Sequence, residues 1–239
     1  MSFLLVIPAR YSSKRFPGKP LKKINGKEMI SHVWEKCIRA VGEKNVLIAT
    51  DSKKIYNFCN LNSYNTLMTS DKCLTGTDRL YEVSKKIKKN FYINVQGDEP
   101  LISVNDIKKF VEYSKKNQNN VINAYTNVEN LKDYLSPNVI KMIFDKSNNL
   151  IYASRSNIPG NKKNKLIKAY KQVCIYSFPY NHLKLFGKIK TKTRIEQIED
   201  IEILRFLELG FDVQMIKLTG SSISVDIKSD VKKILKYIK

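Results

Sequence analysis

The stretch Phe3-Leu4-Leu5-Val6-Ile7, running straight into Pro8-Ala9-Arg10-Tyr11-Ser12-Ser13-Lys14-Arg15-Phe16-Pro17-Gly18-Lys19-Pro20, decides the reading of this chain. The five apolar residues read as a buried strand. The loop behind them carries four cations between Arg10 and Lys19, among small residues and prolines. Small side chains and backbone N–H groups let such a loop approach phosphate oxygens, while Arg10, Arg15 and Lys19 supply counter-charge. Its prolines fix φ and reduce the freedom lost on ordering. The bland alternative is a basic surface loop.

Outward from this strand, helical and strand patterns alternate. Ile30, Val33, Trp34, Cys37 and Ile38 recur at helical spacing. Asn45–Thr50 reads as a buried strand ending at Asp51. A short helix follows with Ile55 and Phe58 inward, then a strand at Thr66–Met68 and a helix marked by Leu80, Val83 and Ile87. Phe91–Val95 is the next strand, and it stops at Gln96-Gly97-Asp98-Glu99-Pro100. Ser103 with Asp106 forms a capping-box pattern opening a helix. Alternating β and α units imply an α/β fold with a mainly parallel sheet and helices on both faces.

After about residue 120 the pattern turns strand-rich, with Val121–Val128, Val139–Phe144, Leu150–Ala153 and Val173–Phe178. This predicts a subdomain or antiparallel extension over roughly residues 120–190 of one 239-residue domain, of a kind often used for dimer contacts. Helix is expected again over Glu196–Leu209 and Val231–Ile238.

Composition excludes several classes. No apolar run approaches the roughly 20 residues of a membrane span, and Met1-Ser2 leads directly into the first strand, so a soluble cytoplasmic protein is expected. Cys37, Cys59, Cys73 and Cys174 are scattered, with only His32 and His182 as imidazoles, so zinc spacing is absent and free thiols are expected. The net charge of +21 invites a nucleic-acid reading. The lysines are dispersed, however, and the abundance of Lys, Asn, Ile and Tyr fits codon bias. There is no G-x-G-x-x-G and no G-x-x-x-x-G-K-S/T, which removes the main support for dinucleotide-oxidoreductase and P-loop readings.

Ligands of a parallel sheet bind beyond the carboxyl ends of its strands. There the Pro8–Pro20 loop, Asp51 and Gln96–Pro100 converge. Asp98 is a natural Mg²⁺ ligand facing a phosphate loop, since Mg²⁺ takes carboxylate and phosphate oxygens; the alternative is a turn carboxylate. Asp226, in Ser224-Val225-Asp226, completes such a site if the chain folds back, and otherwise opens the last helix. Thr75-Gly76-Thr77-Asp78-Arg79 is a small-residue turn at a helix start, able to hold a base or ribose, or simply capped by Thr77. Glu196, Glu199 and Glu202 recur at i, i+3, i+6 and read first as a solvated stripe beside buried Ile195, Ile198, Ile201 and Leu204.

Taken together, the chain resembles the 3-deoxy-manno-octulosonate cytidylyltransferase (CMP-Kdo synthetase) family. The matching residues are Ile7–Leu21, INGKEMISHVWEK, Ile48–Asp51, Met68–Leu80, Asn94–Pro100, Ser154–Pro159 and Ser224–Asp230. The resemblance implies a Rossmann-like, GT-A-like nucleotidyltransferase fold and a homodimer joined through the strand-rich excursion. It implies a Mg²⁺-dependent transfer of CMP from CTP to a 3-deoxy-2-keto sugar acid, for lipopolysaccharide or surface-glycan synthesis. By the same resemblance Arg10, Ser13, Arg15 and Lys19 bind CTP phosphates, and Ala9, Thr75, Gly76 and Arg79 belong to the nucleotide pocket. Gln96 and Asp98 stand at the reaction centre with Arg10 and Lys19, Asp98 and Asp226 hold the metal, and Arg155, Gln172 and Glu196 face the sugar acid. Three positions depart from the family pattern: Gln172 stands for a His, Glu202-Ile203-Leu204-Arg205 for Glu-Gln-Leu-Arg, and Cys73 for a His. Two of the three fall on the sugar side, so an amino-substituted relative of Kdo is an open acceptor. The rivals are a same-fold nucleotidyltransferase acting on another sugar, a basic nucleic-acid binder, and an inactive homologue.

Overall fold

The computed structural model describes residues 2–13, 15–163, 165–220, 224–225 and 227–237. In chain order the elements are β1 (Phe3–Ala9), β2 (Lys23–Ile24), β3 (Lys27–Glu28), α1 (Met29–Val41), β4 (Val46–Thr50), α2 (Lys53–Leu61), β5 (Thr66–Met68), α3 (Gly76–Lys86), β6 (Phe91–Val95), α4 (Val104–Lys116) and β7 (Val121–Asn127). They continue with α5 (Leu131–Leu135), β8 (Lys141–Phe144), β9 (Leu150–Ser154), β10 (Tyr170–Pro179), α6 (Tyr180–Lys188), α7 (Arg194–Glu199), α8 (Leu204–Glu208), β11 (Val213–Lys217) and α9 (Lys228–Ile234).

The central sheet runs in the order β11-β7-β10-β6-β1-β4-β5. β1 lies parallel to both β4 and β6, whereas β10 is antiparallel to β6 and β7. Along this path β10 is the one reversed strand among parallel neighbours, and its first residues lie at the end where the parallel strands finish. The β8–β9 hairpin branches from β10, so the strand-rich stretch is part sheet and part excursion rather than a separate layer.

Alternation along the strands divides the apolar residues between two cores, because successive side chains point to opposite faces. Leu5, Ile7, Ile48 and Ile93 meet Trp34 of α1, Ile55 of α2 and Phe110 of α4. On the other face Leu4, Val6, Leu47 and Tyr92 meet Leu80 of α3, Phe186 of α6 and Phe206 of α8. Helices therefore cover both faces, as the alternation predicts. α3 and α6 pack so closely that a Cβ on Gly187 would fall 2.0 Å from Tyr81 Cδ1. Gly187→Ala is expected to cost about 1–3 kcal/mol, the usual penalty of overpacking, read as a lower urea midpoint with unchanged slope.

Local details differ from expectation. α6 and β11 are found in addition to the elements expected from the sequence. Ser103 caps α4 through Asn105 N and Asp106 N, but the Asp106 carboxylate turns to Thr219 instead of closing the box. α3 is capped by Thr75 rather than Thr77, in a reciprocal box with Asp78. The Glu196–Leu209 segment is two short helices, because Asp200 adopts a left-handed φ of 53° that ends α7. Ile198 consequently faces solvent, whereas Ile201 and Leu204 are buried.

His182 on α6 packs edge-on against Phe211, 4.6 Å between centroids, with Nδ1 buried and lacking a hydrogen-bond partner among the described residues. Burial holds its pKa below the ordinary imidazole value. The unfolded chain then takes up a proton near pH 6.5 before the native one does. Stability is expected to fall as pH drops through that range, and His182→Phe should flatten this part of the pH–stability curve.

Candidate active site

A cleft of about 960 Å³ opens at the carboxyl ends of β1 and β6, walled on one side by the first half of β10. The basic loop forms its rim. The Gly18 N–H donates to Tyr11 O at 2.9 Å, closing the loop into a ring, and Gly18 takes the left-handed φ of 69° that this closure needs. Phe16 anchors the ring by burying itself with Ile24, Met29, Val225 and Ile234. Ala9, Arg10, Ser13, Arg15 and Lys19 all line the cleft. Lys14 lies outside the described residues.

Lys19 reaches across to the loop after β6. Its Nζ donates to Asp98 Oδ2 at 2.6 Å and to Val225 O at 2.9 Å. Val225 N in turn donates to Asp98 O at 3.0 Å, so the C-terminal segment folds back against Asp98 as the proposed metal pair requires. Asp226 itself lies outside the described residues. The loop can come this near because position 97 is glycine: a Cβ there would stand 3.0 Å from Pro8 O.

Thr75, Gly76, Arg79 and Gln96 form the opposite wall. Gly76 sits where a Cβ would meet Gln96 Nε2 and Pro8 Cγ, each at 3.2 Å, so a larger residue would push the α3 N-terminus away from the cleft floor. Arg79 is buried and paired with Asp51 Oδ2 at 2.8 Å, which assigns Asp51 to holding that guanidinium. Gln96 Nε2 donates to Glu202 Oε1, and Thr77 N donates to Glu202 Oε2, both at 3.0 Å. Burial raises the Glu202 pKa even against the Thr77 hydrogen bonds.

On the sugar side the sequence expectation needs correction. Gln172 lines the cleft. Glu196 does not: it is fully buried and clamps Arg205, its Oε2 and Oε1 accepting from Nε and Nη2 at 2.6 and 2.7 Å. Arg155 also lies off the cleft lining; its guanidinium donates to the carbonyls of Glu199, Asp200 and Pro137. Glu199 is tied to Ser154 and Arg155 N. The three glutamates are thus inward-facing rather than a solvated stripe, and it is Glu202, with Asp200 and Lys192, that the break at Asp200 brings to the cleft. Lys192 pairs with Asp200 and holds its pKa below the ordinary range. Cys174 and Tyr176 also line the cleft and were missed, although they follow Gln172 in steps of two along a strand, which is the signal that finds them.

Burial pushes the Cys73 thiol up to about 11, and burial followed by the charges of Glu99 and Asp98 pushes Cys174 well above its usual value. Neither is a thiolate near neutral pH, so neither is primed as a nucleophile. Among the described residues no cluster of three His, Cys, Asp or Glu side chains is placed to hold a metal alone. The donor chemistry still fits Mg²⁺, which is commonly held by one or two carboxylates plus substrate phosphates. Asp98 offers an oxygen, Oδ1, that has no hydrogen bond among the described residues, beside a loop built for phosphate.

Comparison with known proteins agrees with this geometry. The family model described as Cytidylyltransferase matches residues 4–218. The 3-deoxy-manno-octulosonate cytidylyltransferase of Fusobacterium nucleatum is 36% identical, over 100% of this chain and 98% of its own. The 8-amino-3,8-dideoxy-manno-octulosonate cytidylyltransferase of Shewanella halifaxensis is 35% identical, over 97% of this chain and 96% of its own. A solved CMP:2-keto-3-deoxy-manno-octonic acid synthetase complexed with CTP superposes with a TM-score of 0.90 at 29% identity, covering 99% of this chain and 98% of that one. No helix among the described residues is long and apolar enough to cross a membrane. This chain is a nucleotidyltransferase and belongs to the 3-deoxy-manno-octulosonate cytidylyltransferase family.

Proposed function

We propose that this chain joins CTP to a 3-deoxy-2-keto sugar acid, giving a CMP-sugar and pyrophosphate. The observation that carries the reading is the convergence of Arg10, Arg15 and Lys19 with Asp98 in one cleft that Gln96 and Gln172 also line. An anionic sugar acid and a triphosphate repel each other, and the cationic rim offsets that repulsion. In this reading the anomeric hydroxyl oxygen bonds to the α-phosphorus, the bond from that phosphorus to the bridging oxygen breaks, and the hydroxyl proton is released. Arg10 and Lys19 neutralise the departing pyrophosphate. Gln96, held by Glu202, orients the acceptor; most of the rate follows from in-line positioning. Asp98 and Asp226 are the residues that would hold Mg²⁺, which when bound supplies Lewis-acid stabilisation of phosphate charge.

The reading includes a homodimer. Leu131, Leu135 and Ile151 are at least half exposed on the strand-rich excursion, apolar surface that a second copy would cover. Light scattering over a range of concentrations should give twice the chain mass. The activity test incubates the protein with Mg²⁺, CTP and a panel of 3-deoxy sugar acids, with UTP, GTP and ATP in parallel. A CMP-sugar mass with stoichiometric pyrophosphate is expected only with CTP. Pyrophosphate release that ignores the sugar acid would overturn the reading.

A further inference from the structure

Gln172 and Asn123 meet where β10 crosses beside β7, and the hydrogen bonds around them have a single self-consistent polarity. Asn123 is fully buried. Its Nδ2 donates to Val173 O at 3.1 Å and Ile175 O at 2.8 Å, carbonyls that lie at the register shift between Val173 and Tyr176. Carbonyl oxygens only accept, so the amide cannot be turned over without setting oxygen against oxygen twice. Oδ1 is therefore the Asn123 atom that faces Gln172, and it needs a donor. Gln172 supplies Nε2 at 2.8 Å. The remaining amide atom of Gln172, Oε1, is buried and has no hydrogen-bond partner among the described residues, on a residue that lines the cleft.

We infer that Asn123 is a positioning residue that locks Gln172 as an acceptor, and that Gln172 Oε1 selects a hydrogen-bond donor, hydroxyl or ammonium, on the sugar acid. This rests on the function proposed above. Phosphate and carboxylate oxygens carry no donor at neutral pH, so the triphosphate and the sugar carboxylate are turned away from this wall. The polyol part of the acid belongs there. A ligand lacking the donor leaves a buried acceptor unpaired, a loss on the order of 10- to 100-fold in binding.

The test is steady-state kinetics on the full chain with CTP and three kinds of acceptor: 3-deoxy-manno-octulosonate, its 8-amino-3,8-dideoxy counterpart, and mono-deoxy analogues of the first. Gln172→Leu is expected to raise KM for the acid roughly 10- to 100-fold, to leave KM for CTP unchanged, and to erase the wild type's discrimination against one deoxy analogue. Asn123→Ala should shift the same KM, and the double variant should be no worse than Gln172→Leu alone, because both act on one hydrogen bond. A changed preference between the two natural acids in Gln172→Leu puts the donor at the 8-position; equal losses put it on a hydroxyl they share. Unaltered KM and analogue profile in Gln172→Leu, or losses that multiply in the double variant, would overturn the inference. If Asn123→Ala does not fold, Gln172→Leu with the analogues decides alone. A wild type that turns over none of these acids overturns the functional reading itself, a result distinct from normal turnover with an indifferent Gln172→Leu.

Discussion

Asp98→Asn is expected to lower kcat about a thousandfold, which corresponds to several kcal/mol of lost transition-state stabilisation. The substitution keeps the shape of the loop and removes one charge. In the free protein that charge is neutralised by Lys19 at 2.6 Å, with Lys19 also bonded to Val225 O. Removing it releases Lys19 toward the phosphates, so CTP binding measured without divalent metal should be unchanged or tighter. The two effects therefore separate: turnover collapses while metal-free affinity holds. An Asp98 that merely shaped the loop through Lys19 would lose both together, and that outcome would remove Asp98 from the reaction centre.

The second large effect is on stability and falls on Arg205, which is buried completely behind the nucleotide wall. It is held bidentately by Glu196, donates to Asp78 Oδ1 at 3.0 Å, and lies 3.8 Å from the centroid of the Phe186 ring. Burial opposes its charge, but the Glu196 hydrogen bonds and Asp78 prevail and hold its pKa above the ordinary value. Arg205→Met leaves the buried Glu196 carboxylate without its charge partner, with only the Thr193 N–H and hydroxyl donating to it, at a cost of about 3–5 kcal/mol. For a chain of this size that is a loss on the order of 10 °C in Tm. The double variant Glu196→Gln with Arg205→Met removes both charges and should recover most of the loss. Because Asp78 also closes the cap of α3 with Thr75, the single variant is expected to loosen the nucleotide wall as well, seen as a raised KM for CTP. A single variant as stable as the wild type would show that the pair is not a keystone of α7–α8 packing.

What was legible in the sequence was what depends on short-range pattern. The β1 run and its cationic loop, the strand ending at Gln96 and the turn at Thr75 each announce themselves through local residue types, and topology then brings them to one cleft. Glu196 and Glu202 were misjudged because their roles turn on a single residue: the left-handed Asp200 breaks the helix, so helical spacing no longer tells which face each acid occupies. Asparagine, aspartate and glycine all take that conformation, and nothing else in the segment marks the break. Arg155 was misplaced for another reason. Its backbone carbonyl partners come from Pro137 and from the end of α7, far away in the chain, and carbonyls leave no trace in residue identity. The polarity imposed by Asn123 on Gln172 is equally silent, since it originates in a strand irregularity.

The central claim is that the amino-terminal cations and Asp98 gather a CTP triphosphate at the end of the sheet. A crystal structure with CTP and Mg²⁺ tests it most directly. The account predicts the triphosphate against Arg10, Arg15 and Lys19, with the Lys19 ammonium moved from Asp98 to phosphate oxygen and the metal on Asp98 and Asp226. A triphosphate bound elsewhere, with the Lys19–Asp98 pair still closed, would contradict it.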